Sequence, residues 1–322
     1  MIDTQVFPYF GGKARVAEEV WRRFGVVDGY VEPFAGSLAM AMRNPRPEAL
    51  KSENLNDLNG LICNFWRSVA QEPQATASYA DWPVSHLDLT ARQSWLRERA
   101  PRLVERLRDD ANFCDPEMAG WWVWGISQWI GSGWCAGSNR QRPHLSRHGM
   151  GVHSLGQRPH VSDHGMGVHS LGQRPHVSNH GMGGVYDLYT RIAARLRFAR
   201  ITCCDWKSLR SGLHSGCSRW GVFLDPPYTK ESGRDPSLYT PAGGDSGHLS
   251  LGHEVAAWAL EIGDRHRVAL CGIRGEYDIP PTWDVYAWKT GGYSYGGRDR
   301  EEVIWFSPAC ERSTQTGLWG AP

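Results

Sequence analysis

The sequence predicts an α/β fold: a mostly parallel sheet covered by helices, with an antiparallel strand entering it near the C-terminal end. Three observations carry this. Short runs rich in β-branched and aromatic residues recur along the chain, most are separated by segments of helical periodicity, and the last two are joined by a glycine-rich loop with no helix between them. The last feature marks a hairpin, which sets an antiparallel strand among parallel ones.

The strand-like runs are 30–34, 199–206, 220–225, 267–273, 283–288 and 302–306. Helices are expected between them. "KARVAEEVWRRF" places Val16, Val20 and Trp21 on one face, "LICNFWRSVA" spaces Leu61, Phe65 and Val69 at i, i+4, i+8, and "HEVAAWALEIG" follows the run that ends in "DPPY". Residues 1–69 and 186–322 read as one core. Residues 70–185 read as an insertion, helical and tryptophan-rich at first, with Trp121, Trp122, Trp124, Trp129 and Trp134 expected in its packing because Trp122, Ile126 and Trp129 follow helical spacing.

The insertion then repeats itself. "QRPHLSRHGMGVHSLG", "QRPHVSDHGMGVHSLG" and "QRPHVSNHGMGG" begin at Gln141, Gln157 and Gln173, a period of 16 residues across 141–184. From 137 to 200 there are nine arginines, no lysine and two aspartates, a balance of +7 in a chain of net charge +1. Basic charge is therefore concentrated there, and the whole-chain charge neither demands nor excludes nucleic acid. The repeats hold eight of the thirteen histidines, with 144/148, 160/164 and 176/180 at i, i+4. A metal site is one reading of that spacing, but proline before and glycine after each pair make it loop material and not a helix face. Phosphate and groove contact through Arg142, Arg158 and Arg174 is the second reading, and a tandemly expanded surface loop the third.

With 322 residues and 41 % hydrophobic content, the chain can fill a core. Its eight cysteines show no CxxC pair or knuckle spacing, and Cys203 and Cys204 stand together in a strand-like run, so reduced thiols are expected. The start, "MIDTQVFPYFGGK", lacks a basic and then apolar leader, and "WWVWGISQWIGSGW" is too short and interrupted to span a bilayer. A cytoplasmic protein is expected, with no membrane partner and a monomer as the default.

Ligands of open α/β sheets sit beyond the carboxyl ends of the strands. Four such ends carry "VEPFAGS", "NLNDLNG", "CCDW" and "DPPY", in that order. Asp57 stands where an acid commonly accepts hydrogen bonds from ribose hydroxyls. "DPPY" suits a different task. An exocyclic amino group on an aromatic base is a poor nucleophile because its lone pair is delocalised, so a site that alkylates it needs acceptors for both N–H protons. Asp225 offers a carboxylate and Pro226 a carbonyl, Pro227 stiffens the turn, and Tyr228 offers a face for an everted base.

With these motifs the chain resembles the Dam-like DNA adenine methyltransferases. "FPYFGGK" resembles that family's N-terminal motif, "VEPFAGS" and "NDLNGLICNFW" its first- and second-strand motifs, "CCDW" its adenine-ring motif and "DPPY" its catalytic motif. The resemblance implies a Rossmann-like core that binds S-adenosylmethionine, an inserted target-recognition region, double-stranded DNA as partner and N6-adenine methylation by base flipping, as in restriction–modification. It implies catalytic roles for Asp225, Pro226, Pro227, Tyr228 and Lys13. It implies cofactor contacts from Tyr9, Phe10, Gly11, Lys13, Glu32, Phe34, Gly36, Asp57, Asp205, Trp206 and Asp225. One departure stands out: the family often has a second glycine two positions after the first in the first-strand motif, where this chain has Leu38 after Gly36 and Ser37.

Plainer readings exist for each residue. Asp57 and Asp205 also suit helix N-caps, and "DPPY" also suits a strand-ending turn. Lys13 as a solvated lysine at a helix start is disfavoured, because a cation is unfavourable there. An N4-cytosine methyltransferase and a non-catalytic DNA-binding protein of the same fold are the alternative functions.

Overall fold

In the computed structural model the described residues are 2, 6–7, 13–83, 85–128, 134–135, 184–214, 216–227, 248–288 and 301–312. Seven strands are found among them: β1 (Gly29–Glu32), β2 (Ser52–Asn56), β3 (Arg200–Thr202), β4 (Trp220–Leu224), β5 (Arg267–Ile273), β6 (Asp284–Ala287) and β7 (Glu302–Phe306). They form one sheet in the order β3-β2-β1-β4-β5-β7-β6. The ladders from β3 to β5 are parallel, and β7 runs antiparallel to both β5 and β6. The expected Rossmann-like sheet with an antiparallel C-terminal strand is the one observed.

The central strands β4, β5 and β7 are buried along their whole length, and apart from Arg267 and Glu302 at the starts of β5 and β7 they are apolar or glycine, as strands covered on both faces require. Alternate residues feed two apolar clusters. Tyr30, Phe223, Ala269, Cys271, Ile304 and Phe306 face one, and Val31, Val222, Leu224, Val268, Leu270 and Val303 face the other. The first is covered by α1 (Ala17–Phe24), which buries Val20 and Trp21 as its periodicity predicts, and by α3 (Gly60–Gln71). The second is covered by α9 (His248–Ile262) through Val255, Trp258 and Ala259.

The strand limits differ from the sequence expectation for identifiable reasons. β1 stops at Glu32 because Pro33 has no N–H to extend a ladder. β3 keeps only three of the eight residues expected, because it lies at the sheet edge with β2 as its single partner, so Cys203 and Cys204 fall beyond it. β2, "SENLN", belongs to none of the six apolar runs. Its buried polar side chains are matched by distant partners: Arg195 on α8 (Gly184–Leu196) grips Glu53 with Nη1–Oε2 and Nη2–Oε1 distances of 2.7 and 2.6 Å, and gives a further bond to the Ala41 carbonyl.

The remaining helices are α2 (Ala39–Met42), α4 (Pro73–Ala80), α5 (His86–Arg99), α6 (Leu103–Asp109) and α7 (Pro116–Gln128). α4 and α7 pack on α3 and α8, and their apolar residues continue the first cluster. α7 approaches α4 at Gly120, where a Cβ would lie 2.3 Å from that of Tyr79. Trp122, Trp124 and Trp134 are core residues as expected, whereas half-buried Trp121 joins Trp82 and Trp124 around the Arg92 guanidinium, 4.4–4.9 Å from the three rings. Trp129 and the 16-residue repeats lie outside the described residues. All eight cysteines are free thiols. No helix among the described residues is long and apolar enough to cross a membrane.

Candidate active site at the strand ends

Strand order reverses between β1 and β4: the chain builds outward from β1 through β2 to β3 on one side, then from β4 to β5 on the other. The crevice beyond the carboxyl ends of such a pair is where open α/β sheets take their ligands. Glu32, Phe34 and Gly36 follow β1, Asp57 follows β2, Asp205 and Trp206 follow β3, and Asp225, Pro226 and Pro227 follow β4.

Lys13 joins them from the segment that leads into α1. Its Nζ lies 2.8 Å from Asp225 Oδ1 and 2.8 Å from Oδ2, a bidentate pair between residues 212 apart in sequence. Lys13 is 4 % exposed and Asp225 20 %. The Trp288 ring lies 6.0 Å from the ammonium. Lys13 is therefore a buried counter-ion and not a solvated helix-start lysine. It fixes the plane of the carboxylate with a charge-assisted bond to each oxygen.

Asp57 ties two of the loops together. Its Oδ2 accepts from the Gly36 N–H at 2.9 Å and its Oδ1 from the Asn59 N–H at 2.8 Å. Burial raises its carboxyl above the ordinary range, against the lowering effect of the Asn59, Gly36 and Leu58 N–H groups. The N-cap of α3 is Asn59, whose side chain accepts from Leu61 N, so capping is not the task of Asp57. Asp205 is exposed and accepts from Lys207 N at 2.8 Å, a cap-like bond at the start of the 3-10 segment Trp206–His214. Phe34 stands 6.3 Å from the Trp206 ring, which in turn packs on Trp258.

Glu32 is buried, and the Tyr30 hydroxyl donates to its Oε2 at 3.0 Å. Burial holds its carboxyl well above the usual value; the Tyr30 hydroxyl and the Ala41 N–H lower it, and the Glu53 and Asp225 carboxylates raise it further. Gly36 has φ +47° and Leu38 φ +53°. The family's frequent second glycine is thus replaced by a residue whose backbone still takes the left-handed conformation. That strain costs about 1–3 kcal/mol, and burying the Leu38 side chain, 1 % exposed, returns about 1.5–3 kcal/mol.

These strand ends present carboxyl groups, a side-chain-free turn and two aromatic rings on one side of the crevice, and a carboxylate–proline turn on the other. Residues 9–96 match the family model described as D12 class N6 adenine-specific DNA methyltransferase. Over that segment the chain is similar to adenine-specific DNA methyltransferases. The matched segment takes in β1, β2, Lys13 and Asp57 and ends within α5, before Asp205 and the "DPPY" turn. No curated protein matches the chain. Tyr9, Phe10, Gly11, Tyr228, Arg142, Arg158 and Arg174 lie outside the described residues.

The sequence reading missed the residue that joins the three loops of this site. Asn56, buried at the end of β2, donates from Nδ2 to the carbonyls of Pro33 and Cys204, both at 3.0 Å. Its Oδ1 accepts from Thr202 Oγ1 at 2.8 Å and Cys204 N at 3.1 Å, and its own carbonyl accepts from Ala35 N at 2.8 Å. Nothing local marks it, because its partners come from β1 and β3. Asn56→Ala is expected to lower unfolding free energy by about 3 kcal/mol in a urea titration, since it orphans several buried groups at about 1–3 kcal/mol each.

Proposed function

We propose that the chain transfers the methyl group of S-adenosylmethionine to the N6 amino group of an adenine everted from a specific site in duplex DNA. The observation that supports this most is the bidentate Lys13–Asp225 pair at the head of the "DPPY" turn. The donor set suits the cofactor: Asp57 for ribose hydroxyls, Asp205 for the adenine amino group, Trp206 and Phe34 for apolar contact, and Gly36 and Glu32 for the methionine part. When bound, the cofactor supplies an electrophilic methyl carbon.

The protein's part is orientation. Asp225 and the Pro226 carbonyl each accept one N6 proton, which draws the nitrogen out of conjugation and aims its lone pair. Lys13 holds the carboxylate in that pose, and Pro227 and Tyr228 keep the turn rigid and the base stacked. With the cofactor bound, the Asp225 carboxylate would be the group placed to take the surplus N6 proton. Incubation with methyl-labelled cofactor and unmethylated DNA, followed by nucleoside analysis, should give label in N6-methyladenine. Label confined to N4-methylcytosine would replace this reading with the second, which the same pair of acceptors could serve.

We take 70–185 as the target-recognition region, with Arg142, Arg158 and Arg174 of the repeats on phosphates. Deleting one 16-residue unit should then weaken DNA binding and flatten its log–log salt dependence by about 0.9 for each lost contact. Unchanged affinity and salt slope would leave the repeats as an expanded loop.

A further inference from the structure

Tyr277, just beyond β5, is 6 % exposed, and its hydroxyl has no hydrogen-bond partner among the described residues. The ring is tightly held. A Cβ added to Gly272 would lie 2.7 Å from its Cε2, so the ring rests on bare backbone of β5, with Trp305 5.6 Å away and His253 edge-on at 5.7 Å. Leu224 and Leu270 are the last pair of the parallel β4–β5 ladder; Pro226 follows two residues after Leu224, and Gly272 lies two residues on in β5. Burial first, then the Glu276 and Asp225 carboxylates, raise the phenol's pKa, so it remains a proton donor at neutral pH.

A buried hydroxyl without a partner costs stability, and phenylalanine would fill the same space without that cost. Such a hydroxyl at the end of the strand that neighbours the proline turn's own points to a ligand. The amino-bearing edge of adenine offers two proton donors and, next to them, the ring acceptor N1. The turn supplies acceptors only, and the Lys13 ammonium is taken up by Asp225. We infer that the Tyr277 hydroxyl donates a hydrogen bond to N1 of the everted base, completing the pocket whose amino-group acceptors are Asp225 and the Pro226 carbonyl. This rests on the function proposed above.

Tyr277→Phe tests it, because the ring contacts survive. kcat/KM on duplex DNA should fall about tenfold, the Kd for S-adenosylmethionine should stay within twofold, and the melting temperature should hold or rise. On a duplex with 1-deazaadenine at the target, wild type should lose a similar factor and Tyr277→Phe should lose no more than it already has. Turnover by Tyr277→Phe within twofold of wild type overturns the inference. So does a loss that is additive with 1-deazaadenine, or one accompanied by a fall in melting temperature and cofactor affinity. A wild-type protein that methylates no adenine overturns the function reading, and this inference with it.

Discussion

Asp225→Asn should lower kcat for methyl transfer by roughly 10³-fold while leaving the Kd for S-adenosylmethionine within a few-fold of wild type. The substitution keeps shape and volume but offers one acceptor oxygen in place of two, and a positioned acceptor acts mainly in the transition state, where losing one preorganised hydrogen-bonding group costs about 10²–10³. Asp225→Ala should do the same to turnover and add a loss of about 3 kcal/mol in stability, because it takes the bidentate carboxylate from an ammonium that is 4 % exposed. Single-turnover assays with labelled cofactor, equilibrium dialysis and urea titration separate the three effects. Near wild-type turnover by Asp225→Asn would remove the carboxylate from the mechanism.

Arg195→Ala is expected to be the most destabilising single change outside the active site, at about 3–5 kcal/mol. Glu53, 3 % exposed, would be left on β2 without the guanidinium that binds both of its oxygens, and the Ala41 carbonyl would lose its donor. Replacing both members, with Glu53→Gln and Arg195→Met together, should recover part of that loss, because removing one buried charge is worse than removing the pair. Chemical denaturation of the two single variants and the double variant closes the cycle. A loss below about 1 kcal/mol for Arg195→Ala would mean that water or another cation reaches Glu53.

These two pairs show what could be read from the sequence and what could not. β4, β5 and β7 were legible because strands covered on both faces are apolar at nearly every position, and the "DPPY" and "NDLNG" segments stood out because they follow strands of an open α/β sheet. β2 was not among the apolar runs. Its place in the sheet depends on Glu53 and Asn56, and those are tolerable inside only because Arg195, Thr202 and Cys204 meet them from far along the chain. The same holds for Lys13, whose role as counter-ion to Asp225 spans 212 residues and leaves no local period. Asp57 follows β2 as its motif suggests, but its bonds to Gly36 and Asn59 make it a tie between loops, which motif reading alone does not reveal.

The position of β7 between β5 and β6 has a consequence for the order in which the molecule can assemble. Among the described strands β6 hydrogen-bonds only to β7, and β5 has its second partner only in β7, yet β7 spans Glu302–Phe306, the last of them in the chain. During synthesis the parallel half of the sheet can form while β5 still presents an open, largely apolar edge and β6 lacks the strand it pairs with. That edge is a template for another chain until the last strand slides in and closes it. Chains released before residue 302 should therefore be prone to edge-to-edge association, and ribosome-tethered chains should resist protease over β5 only once β7 has cleared the exit tunnel.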